Sequence, residues 1–128
     1  MLAPRSRRAT LGAHVPKILV ADDDQQLAEL VRTTLADAGY EVTVASTGRE
    51  AWRATADGSI DLAILDVLMP GISGDAIAAD LQRARPELPV LLITGASGTQ
   101  FTAGSRIPIV RKPFAPERLL EEVRRLLA

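Results

Sequence analysis

Asp22 and Asp23 follow the apolar run Lys17-Ile18-Leu19-Val20-Ala21, and Asp66 follows Leu62-Ala63-Ile64-Leu65. Thr94 closes Val90-Leu91-Leu92-Ile93, and Lys112 stands just beyond Ile107-Pro108-Ile109-Val110. Three carboxylates, one hydroxyl and one ammonium each sit at the end of a short buried-type segment. An ionised Asp can attack phosphorus without a general base and forms an acyl phosphate. Neighbouring carboxylates repel and raise one another's pKa unless a cation neutralises them. Mg²⁺ does this well, because it takes oxygen ligands and commonly uses one or two carboxylates beside a phosphoryl oxygen. Lys112 can pair with Asp66 or with a phosphoryl group placed on it, and Thr94 can donate to a phosphoryl oxygen. Metal, ammonium and hydroxyl would then share the equatorial oxygens of the transferred group. Taken singly, each residue has a plainer role as turn former or solvated charge. Their joint placement is what points to chemistry.

The elements that must position them are short strands alternating with amphipathic helices. Strands are expected over Lys17–Ala21, Glu41–Ala45, Leu62–Leu65, Val90–Ile93 and Ile107–Val110, the last at a sheet edge because of Pro108. A helix from about Gln25 to Ala38 places Leu27, Leu30, Val31 and Leu35 at helical spacing, with Gly39 as its C′ residue. Ser46-Thr47-Gly48-Arg49-Glu50 has the pattern of a helix cap, leading to Ala51, Trp52 and Ala54, with Trp52 read as a core or rim residue. A third helix runs from about Asp75 to Arg85 and stops at Pro86. Ser97 to Gly104 is rich in Gly, Ser and Thr, so a helix there should be short or poorly ordered. The final helix starts near Pro116 and is expected to bury Leu119, Leu120, Val123, Leu126 and Leu127. Such alternation gives a parallel sheet covered on both faces, with all five functional side chains on one rim near the switch point.

Composition narrows the function classes. The 128 residues suffice for one domain, and no second domain or output domain is expected within them. Zero Cys removes thiolate chemistry and Cys-type zinc sites. The single histidine, His14, stands in the N-terminal segment, which argues against a Ser-His-Asp triad or a multi-His metal site. No apolar run approaches the roughly 20 residues of a membrane span, so no membrane insertion is expected, and a cytoplasmic location is. Residues 1–17 carry Arg5, Arg7, Arg8 and Lys17 without an acid, leaving eleven cations against sixteen acids in the remainder. Without aromatics, that basic stretch reads as a flexible leader over residues 1–16 rather than a nucleic-acid arm.

Asp22-Asp23, the stretch Asp66-Val67-Leu68-Met69-Pro70-Gly71-Ile72-Ser73-Gly74, Thr94 and Lys112-Pro113 together resemble the receiver domain of two-component response regulators. The likeness covers Lys17 to Ala128. It implies a flavodoxin-like α/β fold, a doubly wound five-stranded parallel sheet in order 2-1-3-4-5, over residues 17–128. It also implies Asp66 as phospho-acceptor, and Asp22, Asp23, Asp66 and the main-chain carbonyl of Leu68 as the Mg²⁺ site. Thr94 is then the switch hydroxyl, and Lys112 precedes a peptide bond that is usually cis in the family. The implied role is that of a phosphorelay module taking a phosphoryl group from the phosphohistidine of a histidine kinase or a histidine phosphotransfer protein. It would signal through protein contacts as a monomer or weak dimer, catalysing only its own phosphotransfer and slow autodephosphorylation.

Two departures stand out. Ile109 occupies a position where the family often has Tyr or Phe, so aromatic switching cannot operate there. The segment from Thr94 to Lys112 is also several residues shorter than usual, which argues against a normal fourth helix. The compact Ile93-Thr94-Gly95 and Val110-Arg111-Lys112-Pro113-Phe114 pattern is similar to receivers of hybrid histidine kinases; a free-standing module is the other reading. The resemblance implies that Leu68 and Ala96 flank the approach of a hydrolytic water; neither offers it a polar side chain, so the acyl phosphate should be long-lived. A haloacid-dehalogenase-like phosphohydrolase is the enzyme alternative, but it would want Asp-x-Asp where Asp66 is followed by Val67 and Leu68. A pseudo-receiver that only binds partners would not need the complete acidic set. Direct nucleic-acid binding is not expected from an acidic body without a helix-turn-helix.

Overall fold

Successive residues of a strand point to opposite faces and the central strands are apolar throughout, so both faces of the sheet must be covered; the computed structural model describes residues 14–95 and 107–128 of that arrangement. In chain order the elements are β1 (Lys17–Ala21), α1 (Gln25–Asp37), β2 (Glu41–Ala45), α2 (Gly48–Thr55), β3 (Leu62–Asp66), α3 (Gly74–Ala84), β4 (Val90–Thr94), β5 (Ile109–Arg111) and α4 (Pro116–Leu127). All strand pairs are parallel, in the order β2-β1-β3-β4-β5. The expected doubly wound, flavodoxin-like topology is present. The short or poorly ordered helix anticipated between β4 and β5 falls on residues 96–106, outside the described residues.

The pleat divides the core in two. Leu19, Ala63, Leu65, Val90 and Leu92 face Ala51 of α2 and Ile77, Ala78 and Leu81 of α3. Ile18, Val20, Leu62, Ile64, Leu91 and Ile93 face Val31 and Leu35 of α1 and Leu119 and Val123 of α4. Every residue of β3 and β4 is buried, which explains why those strands read as unbroken apolar runs. Each fully buried Leu or Ile there contributes about 1.5–3 kcal/mol relative to exposure.

Several boundaries and faces differ from the sequence expectation. β5 begins at Ile109, not Ile107: Pro108 has no N–H to give a ladder, although its carbonyl accepts the Leu92 N–H. Leu30 is exposed, because the packed stripe of α1 runs through Ala28, Val31 and Leu35. On α4, Leu120, Leu126 and Leu127 are only partly buried, whereas Glu122 is buried between two arginines. Trp52 lies at the rim, 42% exposed. Gly39 adopts φ 102° after α1, the left-handed conformation expected of a C′ glycine. No helix among the described residues is long and apolar enough to cross a membrane.

Candidate functional site

Strand order reverses between β1 and β3, and the carboxyl ends of these neighbours carry Asp22 and Asp66 side by side. The ladder continues one residue past each. The Asp22 N–H donates to the Ala45 carbonyl at 3.0 Å, and the Val67 N–H donates to the Ile93 carbonyl at 2.9 Å. Asp22 then turns the chain toward α1 by accepting the Asp24 N–H on Oδ1 at 2.9 Å, and Asp24 caps α1 by accepting from Leu27. Sequence reading gave Asp24 no task of its own. Its place one residue before a helical pattern was the signal for capping.

Carboxylate oxygens of Asp22, Asp23 and Asp66 all lie within 4.8 Å of one another. Asp22 and Asp66 are buried, whereas Asp23 is exposed. Lys112 reaches in from the end of β5, its Nζ 3.1 Å from Asp22 Oδ2 and 3.5 Å from Asp66 Oδ1. The Lys112 N–H donates to the Thr94 carbonyl at 2.7 Å, which fixes the ends of β4 and β5 together. The Lys112–Pro113 peptide bond is cis. Thr94 is buried, and its hydroxyl donates to the Gly95 carbonyl at 3.3 Å. The five residues singled out from the sequence therefore meet on one rim, with Leu68 beside them at 67% exposure. Ala96, the other residue expected to flank the site, falls outside the described residues.

Electrostatics follows from this geometry. Burial pushes the Asp66 carboxyl up from its ordinary 3.8 to about 6; the Asp22 charge adds to that, and Lys112 offsets part of it. Burial works against the Lys112 ammonium, yet its two carboxylate neighbours outweigh that and hold its pKa above the usual lysine value. Three acids against one ammonium leave the rim strongly negative. Asp22 Oδ2 is buried and, apart from its ion pair with Lys112, accepts no hydrogen bond. An all-oxygen donor set with excess negative charge and an unsatisfied buried oxygen suits a hard divalent cation. Asp22, Asp23 and Asp66 are the side chains that could hold it.

Two glycines make close backbone approaches around the loop after β3. A Cβ on Gly74 would run into the Asp66 carbonyl, and the Gly74 N–H donates to the Val67 carbonyl at 3.0 Å. A Cβ on Gly48, at the start of α2, would collide with the backbone of Ile72. The sequence marked Gly48 only as part of a helix cap, since close approach between distant backbones leaves no local trace.

Comparison with known proteins agrees with this arrangement. Residues 18–124 match the family described as the response regulator receiver domain. The response regulator MprA of Mycolicibacterium vanbaalenii is 36% identical over 118 residues, covering 87% of this chain and 50% of that protein. An uncharacterized transcriptional regulatory protein of Bacillus subtilis, YkoG, is 33% identical over 115 residues, covering 86% of this chain and 50% of that protein. The chain thus spans about half the length of the curated relatives it matches. Among solved structures, a CheY-like receiver domain protein from Methanospirillum hungatei superposes with a TM-score of 0.81 at 27% identity, covering 89% of this chain and 94% of that one. The Vibrio cholerae chemotaxis protein CheY4 gives a TM-score of 0.77 at 31% identity, covering 88% of this chain and 99% of that one.

Proposed function

The chain belongs to the response regulator receiver family, and on that premise we propose that Asp66 accepts a phosphoryl group from a partner's phosphohistidine in a Mg²⁺-dependent step. The observation that carries the reading is the convergence of Asp22, Asp23 and Lys112 on the buried carboxylate of Asp66. An Asp66 oxygen attacks phosphorus in line with the phosphorus–nitrogen bond of the donor. That bond breaks as the new oxygen–phosphorus bond forms, and its electron pair returns to the imidazole. Lys112 gives the incoming phosphoryl group a positive partner without needing to move far, because it already lies between Asp22 and Asp66. Thr94, buried at the neighbouring strand end, turns its hydroxyl from the Gly95 carbonyl to a phosphoryl oxygen. Asp22, Asp23, Asp66 and the main-chain carbonyl of Leu68 would hold Mg²⁺, which when bound would neutralise charge on the phosphoryl oxygens.

The module spans residues 17–128, preceded by a basic leader over residues 1–16. It acts in the cytoplasm as a signalling phosphoacceptor whose partners are a histidine kinase or a histidine phosphotransfer protein. It turns over no separate substrate. YkoG is named a transcriptional regulatory protein, and a regulatory output is the kind this receiver would serve. The test is intact mass after incubation with phosphoramidate and Mg²⁺. Wild type gains one phosphoryl group, and Asp66→Asn gains none; the same adduct on the variant would sink the assignment.

A further inference from the structure

We infer that the β2–α2 turn, residues 45–50, is a brace holding the two acidic segments of the site in register, and that Gly48 is its positioning residue. The inference rests on the proposed Mg²⁺ site and assigns it a supporting element from outside the ligand-bearing loops. Three ties converge on this turn. The Ala45 carbonyl accepts the Asp22 N–H at 3.0 Å, which fixes the backbone of the first acidic segment. The Gly48 N–H donates to the Pro70 carbonyl at 3.3 Å, and the Gly48 Cα faces the Ile72 backbone so closely that no Cβ fits. Met69, from the same β3–α3 loop, is buried in a cluster with Ala45 and Ala51.

The turn is itself stiffened. Glu50 accepts the Ser46 N–H at 2.8 Å and the Ser46 hydroxyl at 3.1 Å, while Thr47 caps α2 by accepting the Glu50 N–H at 3.1 Å. These contacts hold the Glu50 carboxyl below its usual value, the Ser46 N–H having the largest share. The consequence for the site follows from the loop's other end. Gly74 lies close against the Asp66 carbonyl and donates its N–H to the Val67 carbonyl. A side chain introduced at Gly48 pushes Ile72, and the displacement falls on residues 68–72, between strand residue Asp66 and this hydrogen bond. Leu68, whose carbonyl is assigned to the cation, lies in that interval. Steric pressure at α2 therefore reaches the metal site through the backbone without touching any ligand side chain.

The test compares Gly48→Ala with Gly58→Ala, a control glycine around which a Cβ meets nothing within 4 Å. Mg²⁺ binding is measured by calorimetry on the full chain, alongside thermal stability and phosphoramidate-driven labelling of Asp66 across a Mg²⁺ series. Gly48→Ala should weaken Mg²⁺ about tenfold, the scale for losing an outer support of a metal site. Labelling should recover at saturating Mg²⁺, and Gly58→Ala should match wild type. Glu50→Ala, which loosens the turn without a clash, should weaken Mg²⁺ in the same direction but by less than Gly48→Ala, and carries the test if Gly48→Ala does not fold. Variants that lose thermal stability but bind Mg²⁺ as wild type does would overturn the brace. A wild type that binds no Mg²⁺ would overturn the site reading beneath it.

Discussion

Replacing Asp66 with Asn in the absence of divalent ions should stabilise the protein at neutral pH and leave it nearly unchanged in acid. Asp66 is 4% exposed, beside Asp22, and its carboxyl is raised from 3.8 to about 6, first by burial and then by its acidic neighbour. Between those two values the folded state binds more protons than the unfolded state, so stability falls as pH rises through the window. Below about pH 4 both states are protonated and the cost is absent; above about pH 6 it is present in full. A displacement of roughly two units corresponds to about 3 kcal/mol at about 1.4 kcal/mol per unit, an upper bound because neighbouring charges share in setting it. The Asn side chain keeps the shape and can still accept from Lys112, but it carries no charge. Urea unfolding in EDTA should therefore place Asp66→Asn about 2 kcal/mol above wild type at pH 7.5, with the gap shrinking to about 0.5 kcal/mol at pH 4. Saturating Mg²⁺ should stabilise wild type more than the variant and narrow the gap at pH 7.5. Equal stabilities at pH 7.5, or a gap that does not change with pH, would show that Asp66 is not held at an unfavourable charge.

Glu122 should give the opposite slope. Its carboxyl is lowered by Arg125 first and then Arg118, so its contribution is present above the usual glutamate pKa and lost as pH falls through the depressed value. Glu122→Gln should cost about 0.5–1 kcal/mol at pH 7 in urea unfolding, with the cost shrinking as pH falls below the usual glutamate range; a constant cost would assign the effect to packing instead. Leu68 concerns the lifetime of the acyl phosphate, since an exposed apolar side chain beside the site cannot orient a water. Decay of phospho-Asp66 in Mg²⁺, followed by intact mass, should be about tenfold faster in Leu68→Asn, a change of about 1.4 kcal/mol in barrier. Unaltered decay would remove Leu68 from the water's path.

What the sequence disclosed, it disclosed through patterns that are local. β3 and β4 are buried on both faces, so Leu62–Leu65 and Val90–Ile93 are apolar throughout and stand out. A parallel sheet then puts every strand's carboxyl end on one rim, which is why Asp22, Asp66, Thr94 and Lys112 could be brought together before any distance was known. Features that depend on the packing partner left weaker traces. Leu30 obeys helical spacing but lies off the packed stripe of α1, whereas the small Ala28 lies on it. Glu122 looks like a solvated charge until arginines four residues before and three after it fold over its carboxylate. Gly48 looks like one more glycine in a turn, and only the opposing backbone of Ile72 says why a side chain is excluded.

The acidic rim is arranged to be responsive because its charges are unfavourably matched. Asp22, Asp23 and Asp66 oppose a single ammonium, and one buried oxygen of Asp22 lacks a hydrogen bond. A divalent cation relieves that excess. Phosphorylation restores it, since a phosphoryl group carries nearly two negative charges where the carboxylate carried one. On the proposed reading, the phosphorylated site must therefore bind Mg²⁺ more tightly than the free one, and by reciprocity Mg²⁺ favours the phosphorylated state by the same factor. Lys112 and Thr94 sit on adjacent strand ends joined by the 2.7 Å bond from the Lys112 N–H to the Thr94 carbonyl. An ammonium drawn from Asp22 toward the phosphoryl group, and a hydroxyl drawn from the Gly95 carbonyl, move at two ends of one hydrogen-bonded link. On the proposed reading, a charge change at Asp66 would pull on both ends of this link, a route that needs no aromatic at position 109.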